Sequence, residues 1–120
     1  MSSPEQLGFI GLGNMGGAIA LRLLRAGFPL TVFDLVREKM LPLLSEGAVE
    51  AASPAEVAQR STIAIASLQA GDVEEVALGK QGIDKAPKPA PLFIDLSSTA
   101  PELAVTVASS LRRRGIEMLD

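Results

Sequence analysis

The chain has 120 residues, a formal net charge of −3, and neither cysteine nor histidine. That length supports one domain with a real core, and the missing thiols and imidazoles leave no disulfide, no thiol chemistry and no ordinary zinc ligand set. The acidic balance argues against nucleic acid as a partner, because phosphate backbones select a basic face.

Residues 1–6 read as a disordered lead-in. No basic-then-apolar leader opens the chain and no apolar run reaches membrane-spanning length, so a cytoplasmic protein without membrane partners is expected. Leu7 to Ile10 is a short apolar run that reads as the first strand. Gly11, Gly13 and Gly16 follow in the spacing G-x-G-x-x-G. Ile19, Leu23 and Ala26 then recur at helical intervals as far as Gly27. Glycines between a strand and a helix are the context that a dinucleotide-binding fingerprint requires. Gly11 lets the chain turn off the strand, Gly13 lets a pyrophosphate approach the backbone, and Gly16 lets the helix pack close. The free N–H groups and the dipole at the helix start favour the phosphate charge.

Leu30 to Phe33 reads as the second strand, ended by Asp34, where a carboxylate can accept the hydroxyls of an adenosine ribose. The competing role for Asp34 is to cap the next helix. Val36 to Ser45 reads as that helix, disturbed by Pro42 and ended by Gly47, and Ala48 to Ala51 as a brief third strand. Ser53-Pro54-Ala55-Glu56 is a helix-start signature: Ser53 caps, Pro54 suits the first position and Glu56 reaches back. That helix runs to about Gln59. Thr62 to Ala66 is a buried fourth strand.

Asp72-Val73-Glu74-Glu75 repeats the capping arrangement and opens a helix to Leu78. Gly79 to Pro91, rich in Gly, Pro and Lys, is expected to be the most mobile stretch. Leu92 to Asp95 is the fifth strand. Thr99-Ala100-Pro101-Glu102 forms a third cap, opening a helix through Arg113 with Leu103, Val107 and Leu111 on one face. The Arg112-Arg113-Arg114 run suits the end of that helix, where cations complement the dipole. Gly115 ends it, and Ile116 to Leu119 starts a sixth strand.

Strands alternating with helices predict an α/β, Rossmann-type doubly wound parallel sheet of about six strands in the order 3-2-1-4-5-6. Aromatic residues make up only 3% of the chain, so its core must be aliphatic, as suits such a sheet. The ligand crevice is expected outside the carboxyl ends of strands one and four, where the order reverses. Gly11 to Gly16 and Ser67-Leu68-Gln69 lie there, with Ser97-Ser98-Thr99 on the same rim. Those three hydroxyls serve equally as a helix cap or as cofactor and substrate contacts.

At this point the residues resemble a known family. Phe9-Ile10-Gly11-Leu12-Gly13-Asn14-Met15-Gly16 is similar to the signature of the β-hydroxyacid dehydrogenases, which include 3-hydroxyisobutyrate dehydrogenase and tartronate semialdehyde reductase. The likeness continues through Val32-Phe33-Asp34, Ala52 to Glu56, Val73 to Val76, Gly82-Ile83, Ile94 to Ser98 and Pro101, in order along nearly the whole chain. It implies an oxidoreductase that interconverts a short 3-hydroxy acid and its semialdehyde with NAD, NADP remaining possible. It implies that Leu12, Gly13, Asn14, Met15 and Gly16 cradle the pyrophosphate, that Asp34 holds the ribose, and that Leu68 and Ser98 contact the cofactor, with Ser97 towards the substrate. Gln69 departs from the family, which usually has Pro there. The resemblance also implies a following glycine-rich substrate loop and an all-helical domain that carries a catalytic lysine. Both would lie beyond Asp120, so no catalytic residue is expected in these 120 residues, and a homo-oligomer is expected of the longer protein. A stand-alone dinucleotide-binding or sensing module is the alternative.

Overall fold

A computed structural model describes residues 5–69 and 71–120. The strands are β1 (Leu7–Ile10), β2 (Leu30–Phe33), β3 (Val49–Glu50), β4 (Ile63–Ala66), β5 (Leu92–Asp95) and β6 (Glu117–Leu119). The helices are α1 (Asn14–Arg25), α2 (Leu41–Leu44), α3 (Pro54–Gln59), α4 (Asp72–Leu78) and α5 (Pro101–Arg112). All strand pairings are parallel, and the order is β3-β2-β1-β4-β5-β6, as the alternation of elements predicts.

Successive side chains alternate between the two faces of the sheet, and the central strands are buried on both. Leu7, Phe9, Leu30, Val32 and Ile65 pack on one face with Ala20, Met40 and Leu43. Ile10, Ala64, Ala66 and Phe93 pack on the other with Val57, Ala77, Val107 and Leu111. The two fully buried aromatic rings, Phe9 and Phe93, therefore belong to opposite layers. The buried stripe of α5 is Ala104, Val107 and Leu111; Leu103, expected on that face, is only partly buried. Among the described residues, no helix is long and apolar enough to cross a membrane.

Several local expectations are corrected. The helix expected over Val36–Ser45 is a 3-10 turn, Arg37–Lys39, followed by the short α2. Pro42 sits in the first turn of α2, where its missing N–H costs nothing, but its ring cannot follow a continuous helix. Asp72 is the first residue of α4 rather than its cap; Gly71 takes the cap position with φ 97°. Thr99 does not cap α5 either: Ala100 stands there, and the Thr99 hydroxyl donates to Asp95 Oδ2 at 2.8 Å. Residues 1–4 of the expected lead-in lie outside the described residues. Residues 5 and 6 are tied in, since Thr62 N donates to Gln6 O at 2.7 Å and the Thr62 hydroxyl donates to the Glu5 carboxylate.

The Gly79–Pro91 stretch is held down rather than loose. It contains a 3-10 turn, Ile83–Lys85, and buries Ile83, Ala86 and Ala90. Arg114, beyond the end of α5, donates to Asp84 O at 2.8 Å and to Ala86 O at 2.7 Å. One member of the arginine run thus pins this loop instead of answering the helix dipole.

The capping box at α3 forms as expected. Glu56 N donates to Ser53 Oγ at 3.1 Å, and Ala52 N donates to Glu56 Oε1 at 2.6 Å. Replacing Ser53 by Ala is expected to lower stability by about 1 kcal/mol, measured by urea unfolding. The Ala52 amide, then the Arg60 guanidinium, hold the Glu56 carboxyl below the ordinary glutamate range. A depressed native pKa stabilises the fold above the unfolded value, about 4.3, and that contribution disappears as pH falls through the native value. Glu56→Gln is therefore expected to lose less stability than the parent chain between neutral pH and acid, read by thermal melts across that range.

Candidate functional site

The strand order reverses between β1 and β4, and a cleft of about 460 Å³ opens at their carboxyl ends. Gly11 to Gly16, Asp34 and Leu68 all line it, so most of the residues singled out from sequence come together. Ser97 and Ser98 are not in its wall: Ser97 is half-buried behind Leu68, and Ser98 is exposed.

The glycines divide into two kinds. A side chain on Gly11 would run into the Ser67 carbonyl, and its φ of 92° is strained for other residues. A side chain on Gly16 would run into the Gly11 carbonyl. Both are glycine because the fold demands it. Gly13 differs. Its φ and ψ, −67° and −167°, are open to any residue, and a Cβ there meets nothing within 4 Å. It is also the cap residue of α1, which has no side-chain cap and no acid in its first turn. The unpaired positive end of the helix therefore opens beside a place that only the absence of a side chain keeps clear.

Asp34 takes the capping role expected of it and also ties down the glycine loop. Its Oδ1 accepts from Val36 N at 2.8 Å, capping the turn that follows. Its Oδ2 accepts from Leu12 N at 2.7 Å, across the mouth of the cleft. Each oxygen retains a second lone pair for a hydroxyl donor. The carboxylate thus fixes the glycine loop and still faces the cleft.

The far rim is organised by Asp95, which sequence reading treated only as a strand end. It is 2% exposed. Its Oδ1 accepts from Ser97 N and its Oδ2 from the Thr99 hydroxyl, each at 2.8 Å. Ser97 Oγ in turn accepts from Leu68 N at 2.7 Å. The hydroxyl run is neither a simple cap nor a row of free contacts: Ser97 holds the backbone of Leu68 in the cleft wall, and Asp95 holds Ser97.

Other wall residues were missed. Leu35, Val36 and Lys39 follow Asp34, and Asp72, Glu75 and Val76 project from α4. The last three lie three and four residues apart, a shared helix face that the capping interpretation of Asp72 hid. Leu35 is 93% exposed, an apolar side chain offered to whatever enters. All four lysines of the chain, Lys39, Lys80, Lys85 and Lys88, are exposed.

Comparison with known proteins agrees with this geometry. The model of the NAD binding domain of 6-phosphogluconate dehydrogenase matches residues 6–120. A 3-hydroxyisobutyrate dehydrogenase of Pseudomonas aeruginosa is 40% identical over 115 residues, covering 95% of this chain and 39% of the relative. An NAD-dependent L-serine dehydrogenase of the same species is 38% identical over 117 residues, covering 97% of this chain and 39% of the relative. Among solved structures, the imine reductase from Myxococcus stipitatus in complex with NADP+ superposes with a TM-score of 0.82 at 27% identity, covering 94% of this chain and 39% of that one. The chain spans about two fifths of the length of the curated relatives it matches. With its fingerprint loop, terminal acid and strand reversal in the family's arrangement, the chain belongs to the family of the NAD-binding domain of 6-phosphogluconate dehydrogenase.

Proposed function

We propose that these residues form the cofactor half of an oxidoreductase that interconverts a short 3-hydroxy acid and its semialdehyde. The observation that carries the reading is Gly13, a glycine that the fold itself does not need. A Cβ there would fill the cradle in front of α1, so the residues present fit a bound pyrophosphate. In this reading Gly11, Leu12, Gly13, Asn14, Met15 and Gly16 bind the pyrophosphate and Asp34 accepts the ribose hydroxyls. Leu68 supplies wall contact at a position fixed by Ser97, and exposed Ser98 reaches the cofactor from the rim. When bound, NAD supplies the hydride acceptor. The names of the Pseudomonas relatives support the substrate class, a small acid bearing a hydroxyl on its third carbon.

The preferred cofactor is NAD rather than NADP. Asp34 repels a 2′-phosphate in the position where it accepts a 2′-hydroxyl. Catalysis is assigned to a following helical domain with a lysine, in a cytoplasmic homo-oligomer. A second reading, a module that binds dinucleotide without chemistry of its own, is favoured by the exposure of every lysine here.

Two outcomes are expected. The 120-residue chain binds NAD+ more tightly than NADP+ in calorimetry, but produces no reduced cofactor from 3-hydroxyisobutyrate or L-serine. Turnover by the pure chain, removed by a mutation within it, would place the proton-transfer group inside these residues. Gly13→Val is expected to melt within a few degrees of the parent and to lose dinucleotide binding by at least about a hundredfold, as steric intrusion at a phosphate cradle costs several hydrogen bonds. A folded variant that binds normally would put the phosphates elsewhere.

A further inference from the structure

Arg37 stands three residues beyond Asp34, in the 3-10 turn between Val36 and Lys39; those two line the cleft and Arg37 lies just outside its wall. An arginine in that neighbourhood is the usual partner of a 2′-phosphate, because its planar fork matches the phosphate oxygens. Here the side edge of that fork is taken. Arg37 Nε donates to Glu50 Oε2 and its terminal nitrogen to Glu50 Oε1, both at 2.9 Å. Glu50 lies on β3 and pairs in register with Val32, two residues before Asp34. β3 lying beside β2 therefore brings the carboxylate within reach of one edge of the guanidinium, formed by Nε and a terminal nitrogen. We propose that Glu50 is a specificity-determining residue: by holding one edge of Arg37 and offsetting its charge, it weakens the hold of the site on a 2′-phosphate and keeps it selective for NAD. The inference rests on the cofactor assignment made above.

The balance of charge supports it. A 2′-phosphate entering the site would meet the Asp34 carboxylate, which already bonds Leu12 N and Val36 N. To recruit the edge of Arg37 that Glu50 holds it must also break two charge-assisted bonds, and at the other edge it meets a guanidinium whose charge Glu50 already offsets. Lys39 does line the cleft, but its ammonium offers a point charge without a fork. Both members of the Arg37–Glu50 pair are partly solvent-exposed, so the pair adds little to stability and Glu50 can be replaced without unfolding the domain.

The test is calorimetry with NAD+ and NADP+ on the parent chain, Glu50→Ala, Arg37→Ala and the double variant. Glu50→Ala is expected to bind NADP+ roughly three- to tenfold more tightly, the scale of one freed charge-assisted contact at an exposed site, with NAD+ affinity within about twofold of the parent. Arg37→Ala leaves both affinities near parental values, and the double variant loses the gain. Unchanged NADP+ affinity in a Glu50→Ala chain that still binds NAD+ overturns the inference. So does a gain that survives in the double variant, which would trace it to the lost negative charge alone. Glu50→Gln, which keeps the side chain's length, repeats the measurement should Glu50→Ala fail to bind NAD+. Failure of the parent chain to bind either dinucleotide overturns the cofactor assignment itself, and this inference with it.

Discussion

At the carboxyl end of β1 the backbone passes so close to its neighbours that two positions admit no side chain at all. Gly11 lies against the Ser67 carbonyl at the end of β4, and Gly16 in α1 lies against the Gly11 carbonyl. This contact brings the start of α1 directly onto the sheet where the strand order reverses. Everything distinctive about the cleft follows from it. The helix start is held over the crevice, the loop between is short, and the next strand, β2, ends level with it, since Ile10 pairs with Phe33. A methyl group at either glycine would push helix and sheet apart, because packed backbone has no free volume to yield.

Two aspartates complete the cleft by the same physical means. Asp34 and Asp95 each end a strand, and each turns its carboxylate onto backbone N–H groups of the loop that follows. Each also reaches further, Asp34 to Leu12 N and Asp95 to the Thr99 hydroxyl. Loops at strand ends leave donors without ladder partners, and a carboxylate accepts several of them at once. The difference between the two is exposure. Asp95 is buried and its work is internal, whereas Asp34 lies in the cleft wall and keeps acceptor capacity for a ligand. Side chains that shape the site and side chains that face it are thus of one chemical type, separated only by depth.

The charge arrangement continues outward. Ion pairs on this domain are mostly between exposed groups, such as Arg25 with Glu46 and Arg37 with Glu50. Their contribution to stability is small, since water screens them and the long side chains lose freedom. Each pair offsets the charge of its guanidinium and occupies one edge of it. On the apolar side, the core is spread over both faces of the sheet with small residues at the helix contacts, Ala20, Ala58, Ala77 and Ala104 among them. Small side chains there let the helices lie close to the strands, which suits a core with few aromatic rings.

The sequence by itself determined the order of elements, the glycine loop and the terminal Asp34, because these depend on local signals: short apolar runs, turn glycines and a fixed spacing between them; the strand order 3-2-1-4-5-6 came from the fold class that those signals name. It also determined the Ser53–Glu56 capping box, whose partners lie within one helical turn. It misjudged Asp72 and Thr99, which carry the chemistry of caps but found other roles. Thr99 was drawn off by a buried carboxylate four residues earlier. It likewise took Gly79–Pro91 for a loose loop, since the residues that fasten it, Arg114 above all, are nearly 30 positions away. Only the tertiary structure decided that Gly13 is free where Gly11 and Gly16 are crowded, that Ser97 answers to Leu68, and that Arg37 answers to Glu50. Each of these depends on which strand lies beside which, and a contact between strand ends is set by sheet register, a property no stretch of sequence carries alone.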